Sequence, residues 1–179
     1  MGHHEGVAGN SSMRGRQTVR DMILSMAGVG VVVAVGYAFL PHDAGDGVHV
    51  VDYRSSLASA KRAAPYPLLG PEGLSDKWRA TSVEYRKDTK GNAVWHLGFV
   101  TPSGQYAAVE QSNGGRDEVI ASAVLDGKPD GSATVAGQEW ERYQGSRYRG
   151  LTVQTGSATT VVTGSASYQE LSQLAQSLK

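Results

Sequence analysis

Cysteine is absent from the sequence. That absence excludes disulfides, thiolate metal sites, a cysteine nucleophile and a lipidated N-terminal cysteine. It does not argue against an extracytoplasmic location, because a domain of roughly 130 residues buries a sufficient core without covalent staples. An excess of one charge is lacking too, with 17 basic and 17 acidic residues in all. Setting aside Arg14, Arg16, Arg20, Glu5 and Asp21 leaves 14 basic against 15 acidic residues after Leu40. A domain that grips nucleic acid carries a clear basic excess, so no nucleic-acid partner is expected.

Several signatures of chemistry are missing as well. The sequence contains no G-x-S-x-G, no Walker loop, no dinucleotide fingerprint and no H-E-x-x-H. Gly156-Ser157-Ala158 and Gly164-Ser165-Ala166 read as ordinary turns. Asp43, Asp46 and Asp52 have the wrong spacing for a calcium loop, and no bidentate Glu follows them. His3, His4 and Glu5 form a weak ligand set in a Gly/Ser/Asn-rich tail, and incidental placement is the favoured reading. No cofactor and no metal are expected.

The apolar residues, 40% of the chain, are unevenly spread. From Met22 to Leu40 the sequence reads MILSMAGVGVVVAVGYAFL without a charge. At 1.5 Å per residue such a helix spans about 28 Å, close to the thickness of a bilayer core. A cleaved signal peptide has a shorter apolar run ending at small residues, and here bulky residues continue through Tyr37 to Leu40. A transmembrane helix over 22–40 is therefore the stronger reading. Arg14, Arg16 and Arg20 precede it, while Pro41, His42, Asp43 and Asp46 follow. The positive-inside rule then leaves the N-terminus in the cytoplasm and the C-terminal domain outside a cell membrane crossed once. The expected organisation is a basic cytoplasmic tail at 1–21, the membrane helix at 22–40, a linker at 41–51 and an extracytoplasmic domain at 52–179. Gly30, Ala34 and Ala38 recur every four residues, a seam that permits close approach of a second helix. A homodimer would use it; the abundance of Gly and Ala in membrane helices explains it without one.

In the outer part, Asp52 is placed to cap a short helix carrying Tyr53, Leu57, Ala60 and Ala64 on one face, ended by Pro65 and Pro67. The segment PYPLLGPEGLSDKW holds three of the six prolines and predicts an extended lead-in to a sheet. Strands are expected at Arg79 to Lys87, Ala93 to Thr101 and Gln105 to Gln111, with Trp95, Leu97 and Phe99 on one face and His96 on the other. Thr101-Pro102-Ser103-Gly104 is the turn between the last two. Asp117 is expected to cap a helix in DEVIASAVLDG that stops at Gly127, with a strand as the alternative over 117–125. A hairpin at Ala133 to Val135 and Gln138 to Tyr143 follows, then strands at Tyr148 to Thr155 and Ala158 to Thr163. Ser167-Tyr-Gln-Glu170 reads as a capping box for a final helix bearing Leu171, Leu174, Ala175 and Leu178. The fold class is α+β: an antiparallel sheet flanked by an N-terminal and a C-terminal helix.

The segments RQTVRDM, AAPYPLLGPEGLSDKWRATS, WHLGFVTPSGQYAAVEQS, VAGQEWERY and TTVVTGSASYQELSQLAQSL, in this order, resemble the actinobacterial domain-of-unknown-function family DUF4245. The likeness runs from Arg16 to Lys179. It implies a membrane-anchored protein with an outward domain, and it brings no established activity or catalytic residues. A weaker, fold-level likeness is to sheet-and-helix extracytoplasmic domains that sense or carry lipids and regulate envelope stress responses, which does not establish function.

Candidate residues remain few. His96 is the only base candidate inside a strand; a structural role is favoured, because a triad also needs a positioned nucleophile and an orienting acid. Glu139 and Glu141 point the same way with Tyr143 and fit a solvated strand face, with Trp140 as core. Arg142, Arg147 and Arg149, near Tyr143 and Tyr148, form a basic cluster that could meet lipid head groups or an acidic partner, although a solvated hairpin face explains it too. No enzymatic activity is expected. The leading expectation is an interaction or sensory module with a membrane or envelope protein partner, in contact with the lipid bilayer through residues 22–40. The alternative is a ligand- or lipid-binding domain with a cavity beside Trp95, Leu97 and Phe99.

Overall fold

A tight turn sets the register of the sheet. In the computed structural model, which describes residues 48–179, Gly104 has φ 79° and its N–H donates to the carbonyl of Thr101 over 2.9 Å. Thr101 N–H donates to the carbonyl of Gln105 over 2.8 Å, so both residues belong to the turn. The strands are therefore β2 (Ala93–Val100) and β3 (Tyr106–Ser112), each one residue shifted or shorter at the turn than the expected bounds. Trp95, Leu97 and Phe99 are buried together as the alternation requires.

The other elements are α1 (Arg54–Ala63), β1 (Arg79–Lys87), α2 (Arg116–Ala123), β4 (Lys128–Val135), β5 (Gln138–Gln144), β6 (Arg149–Thr155), β7 (Ala158–Gly164) and α3 (Tyr168–Ser177). The seven strands form one antiparallel sheet in the order β1-β2-β3-β7-β6-β5-β4. β4 begins five residues earlier than the sequence suggests, because Lys128 and Pro129 pair with Gln144 and Tyr143 across an irregularity that ends at Ser132. Its turn to β5 runs through Ala136 (φ 50°) and Gly137 (φ 80°), two left-handed residues as a tight hairpin demands.

One face of the sheet carries the main core. Trp95, Leu97, Phe99, Val109, Leu151 and Trp140 lie under Leu171, Leu174 and Ala175 of α3 and Ala60 of α1. The proline-rich lead-in closes the same side. Gln111, fully buried, accepts from Leu69 N–H through Oε1 and donates from Nε2 to the carbonyl of Pro67, both at 3.0 Å. Tyr66 donates its hydroxyl to the carbonyls of Gln111 and Ala93, at 3.0 and 3.3 Å. A buried amide is stable only when satisfied in this way.

On the opposite face α2 packs Val119, Ile120 and Ala123, with Val124, against Val161 and Tyr143. β7 is buried along its whole length for that reason. α2 contacts β7 and β3, whereas the same face of β1 stays exposed or half-buried. The sheet is covered on both sides at its middle and on one side at its β1 edge.

Three details of the helices differ from the sequence reading. α1 starts at Arg54, with Tyr53 at the cap position; Asp52 still contributes, its Oδ1 accepting the Arg54 N–H over 3.0 Å. α2 is the expected helix and not the alternative strand, but it is capped at Gly115 rather than Asp117 and ends at Ala123, before Gly127. Asp117 and Glu118 occupy its first turn, where carboxylates suit the helix dipole. The capping box of α3 is half formed: Ser167 accepts from Glu170 N–H at 3.2 Å, but the Glu170 carboxylate turns away to Ser103 Oγ at 2.9 Å and Ser103 N–H at 3.3 Å.

Among the described residues no helix is long and apolar enough to cross a membrane. The span expected at 22–40, with the seam Gly30, Ala34 and Ala38, lies outside the described residues, as do His3, His4, Glu5, Asp43 and Asp46.

Candidate functional site

The open side of the sheet, over β1, β2 and β3, brings three polar side chains into one line. His96 sits directly opposite Glu110 on β3 and one step diagonally from Ser82 on β1. Its Nδ1 lies 2.6 Å from Glu110 Oε1, and its Nε2 lies 2.8 Å from Ser82 Oγ. A carboxylate only accepts, so Nδ1 carries a proton; in the neutral ring Nε2 is then the acceptor, and Ser82 donates to it. The bond to Glu110 raises the His96 pKa above its ordinary value, against the opposing effect of burial; Glu84 adds to the rise and Arg86 opposes it.

The diagonal bond depends on Gly98, the partner of Ser82 across the β1–β2 ladder. A Cβ there would stand 2.4 Å from Ser82 Oγ and 3.2 Å from the Tyr106 ring and hydroxyl. Glycine thus opens the space in which the hydroxyl leans toward His96. Tyr106 walls the other side, its ring 5.8 Å from that of Tyr148. Burial, with the nearby charges of Glu110 and Tyr148, pushes its pKa up to about 12.

Beside this row a groove of about 340 Å³ runs between α2 and the strands, lined among others by Arg86, Asp88, Val94, Glu110, Glu118 and Ser122. Lys90 Nζ bonds both oxygens of Glu118, at 2.7 and 2.9 Å, and ties the β1–β2 turn to α2.

Of the residues singled out in the sequence, His96 acquires a partner at each ring nitrogen. Glu141 meets Arg116 Nη2 at 2.7 Å and accepts from the Tyr143 hydroxyl at 3.1 Å, so it anchors the start of α2. Glu139 is exposed and Trp140 is core. The arginine cluster divides. Arg142 stacks with its Cζ 3.8 Å from the centre of the Tyr168 ring and binds Asp130 Oδ2 at 3.1 Å, and Arg149 lies 5.6 Å from the same ring. Arg147 instead faces Tyr148 at 5.4 Å. Among the described residues no group of three or more metal-binding side chains converges.

Ser82 and Glu110 were missed by sequence reasoning. Glu110 was within reach of it: counting outward from the turn, Thr101 meets Gln105 and His96 must meet Glu110. Ser82 was not, because its side chain reaches His96 only through the space at Gly98, next to a register shift between Ala80 and Ser82.

The model of the family described as "Protein of unknown function (DUF4245)" matches residues 14–178. The chain belongs to the DUF4245 family. The match includes every residue of the row and the groove. No curated protein matches the sequence. Among solved structures, the chain is similar to MucB in complex with MucA(peri), at a TM-score of 0.38 and 16% identity, over 62% of this chain and 35% of that one. It is similar at the same TM-score and identity to the Pseudomonas aeruginosa MucA/MucB complex, over 62% of this chain and 34% of that one. The chain therefore spans about a third of the length of those structures. A likeness of that size does not extend to ligands or partners.

Proposed function

We propose that this DUF4245 chain is a non-enzymatic interaction or sensory module, anchored in the cell membrane by residues 22–40, with its α+β domain outside. The observation that carries the interaction reading is that the β1 end of the sheet has one filled face and one open one. Trp95, Leu97 and Phe99 are at most 1% exposed and pack with Leu171 and Leu174. A lipid or other apolar ligand would need a cavity where those side chains stand, which weighs against the alternative of a ligand-binding interior. The open face of β1–β3 offers a surface instead. Its groove has Val94 and Val119 as apolar lining and three carboxylates, Asp88, Glu110 and Glu118, of which Glu118 is already held by Lys90 and Glu110 by His96. That lining suits a partner segment presenting a small apolar side chain beside a polar one.

Anchoring is supported by the length of the apolar run and by the arginines before it, Arg14, Arg16 and Arg20. Any signal would pass through a membrane or envelope protein partner. Chemical crosslinking of the tagged full-length chain in cells, followed by mass spectrometry, tests the module. A reproducible protein partner that is lost on deletion of residues 48–179 is the expected result. Recovery of self-crosslinks alone, or of a partner that survives the deletion, would overturn it.

A further inference from the structure

We propose that Ser82 is an activated nucleophile that takes an acyl or phosphoryl group from an electrophile already carrying a good leaving group. His96 is its base and Glu110 the acid that orients the base. The inference is independent of what docks in the groove.

Three observations carry it. Ser82 Oγ lies 2.8 Å from His96 Nε2 and Nδ1 lies 2.6 Å from Glu110 Oε1, so in the neutral ring Ser82 donates to Nε2 and Nδ1–H to Glu110. Nucleophile within reach of base, and base fixed by a third group, is the geometry by which an activated serine is recognised, whatever the fold or chain order. Second, the row is accessible: the His96 and Glu110 side chains are 22% and 24% exposed, and Ser82 is half-buried. Third, the space is built, since Gly98 leaves open the position where any Cβ would stand 2.4 Å from the serine oxygen.

The step balances without a further reactant. Ser82 Oγ forms a bond to the electrophilic carbon or phosphorus, and its proton passes to Nε2. Glu110 stabilises the resulting imidazolium through Nδ1–H. The leaving group departs with its bonding electron pair, and the proton leaves His96 for solvent. The product is an ester on Ser82. Strand N–H groups lie in the plane of a sheet, while this oxygen stands above its face, so the sheet supplies no backbone donors to an oxyanion there. Reaction therefore favours electrophiles activated in advance, and the ester persists. This is stoichiometric capture rather than turnover, in keeping with a non-enzymatic module.

The alternative is that the three side chains merely satisfy one another's hydrogen bonds. Ser82 would then have the reactivity of any surface serine. Treating the purified full-length chain with a fluorophosphonate separates the two, because the P–F bond breaks, fluoride leaves and the adduct is read by intact mass and peptide mapping. The expected result is a single adduct on Ser82, absent in Ser82→Ala and slowed at least about 100-fold in His96→Gln, the lower end of what a positioned base contributes. Labelling of the unmodified chain should also fall as His96 protonates in acid, with Glu110 from β3 and Ser82, Glu84 and Arg86 from β1 as the groups facing the ring. That profile decides alone should either variant fail to fold. No adduct, an adduct on another residue, an equal rate in His96→Gln or a flat pH profile would overturn the proposal.

Discussion

His96 links the chemistry of the open face to the stability of the domain. Its hydrogen bond to Glu110 raises the folded-state pKa, while the unfolded value stays near 6.5. A group shifted upward contributes its full stabilisation below the unfolded pKa and loses it as pH rises through the folded one. The unfolding midpoint of the domain should therefore drop from mildly acid to alkaline pH, and His96→Gln should remove that part of the drop. An identical pH dependence in the variant would show that the contact with Glu110 is not maintained in solution. Gly98→Ala probes the other arm of the row. The new methyl would meet Ser82 Oγ at 2.4 Å, and a serine hydroxyl escapes by rotating. The cost is then the lost hydrogen bond, about 1 kcal/mol in urea unfolding, with fluorophosphonate labelling lost at the same time. Retained labelling would mean that the diagonal contact does not set the reactivity.

At the scale of elements, the ends of α3 and the middle of the sheet carry testable constraints. Ser167 caps α3 through the Glu170 N–H, and Ser167→Ala should lower stability by about 1 kcal/mol. Gly164 sits where β7 meets both β3 and β6, and a Cβ there would lie 2.1 Å from the Tyr106 carbonyl oxygen and 2.8 Å from Ala107 Cα. Backbone cannot rotate aside as a side chain can, so Gly164→Ala should cost about 3 kcal/mol; a near-neutral effect would contradict the close approach of those strands. These elements differ in how far the sequence reveals them. β2 and β3 were legible because one face is buried and the other is not, so apolar residues alternate around an unambiguous turn. β7 shows no such alternation, since α2 buries its second face, and only its β-branched run marks it as a strand. α2 was ambiguous for a related reason: Val119, Ile120 and Ala123 are its only buried residues, too few to fix a period in eight positions. The Glu170 carboxylate went to a turn far away in sequence, which no local capping rule foresees. The candidate row was the least legible part, because it is assembled from three strands and a missing Cβ rather than from a motif.

For the whole molecule, the absence of cysteine gives a clean route to topology, because any introduced thiol is unique. In intact cells a membrane-impermeant maleimide should label Lys128→Cys and leave Ser12→Cys untouched until the membrane is opened. The reverse pattern would contradict the orientation read from Arg14, Arg16 and Arg20. The open face of β1–β3, beside α2, is the proposed working surface of the domain. A photo-crosslinking residue placed at Ser122, exposed on the groove wall, tests it most directly against one at Gln173, exposed on α3 over the filled face. Irradiation of cells should join a discrete protein partner to the chain from Ser122 and not from Gln173. Equal crosslinking from both positions, or crosslinking from Gln173 alone, would contradict the assignment of that face.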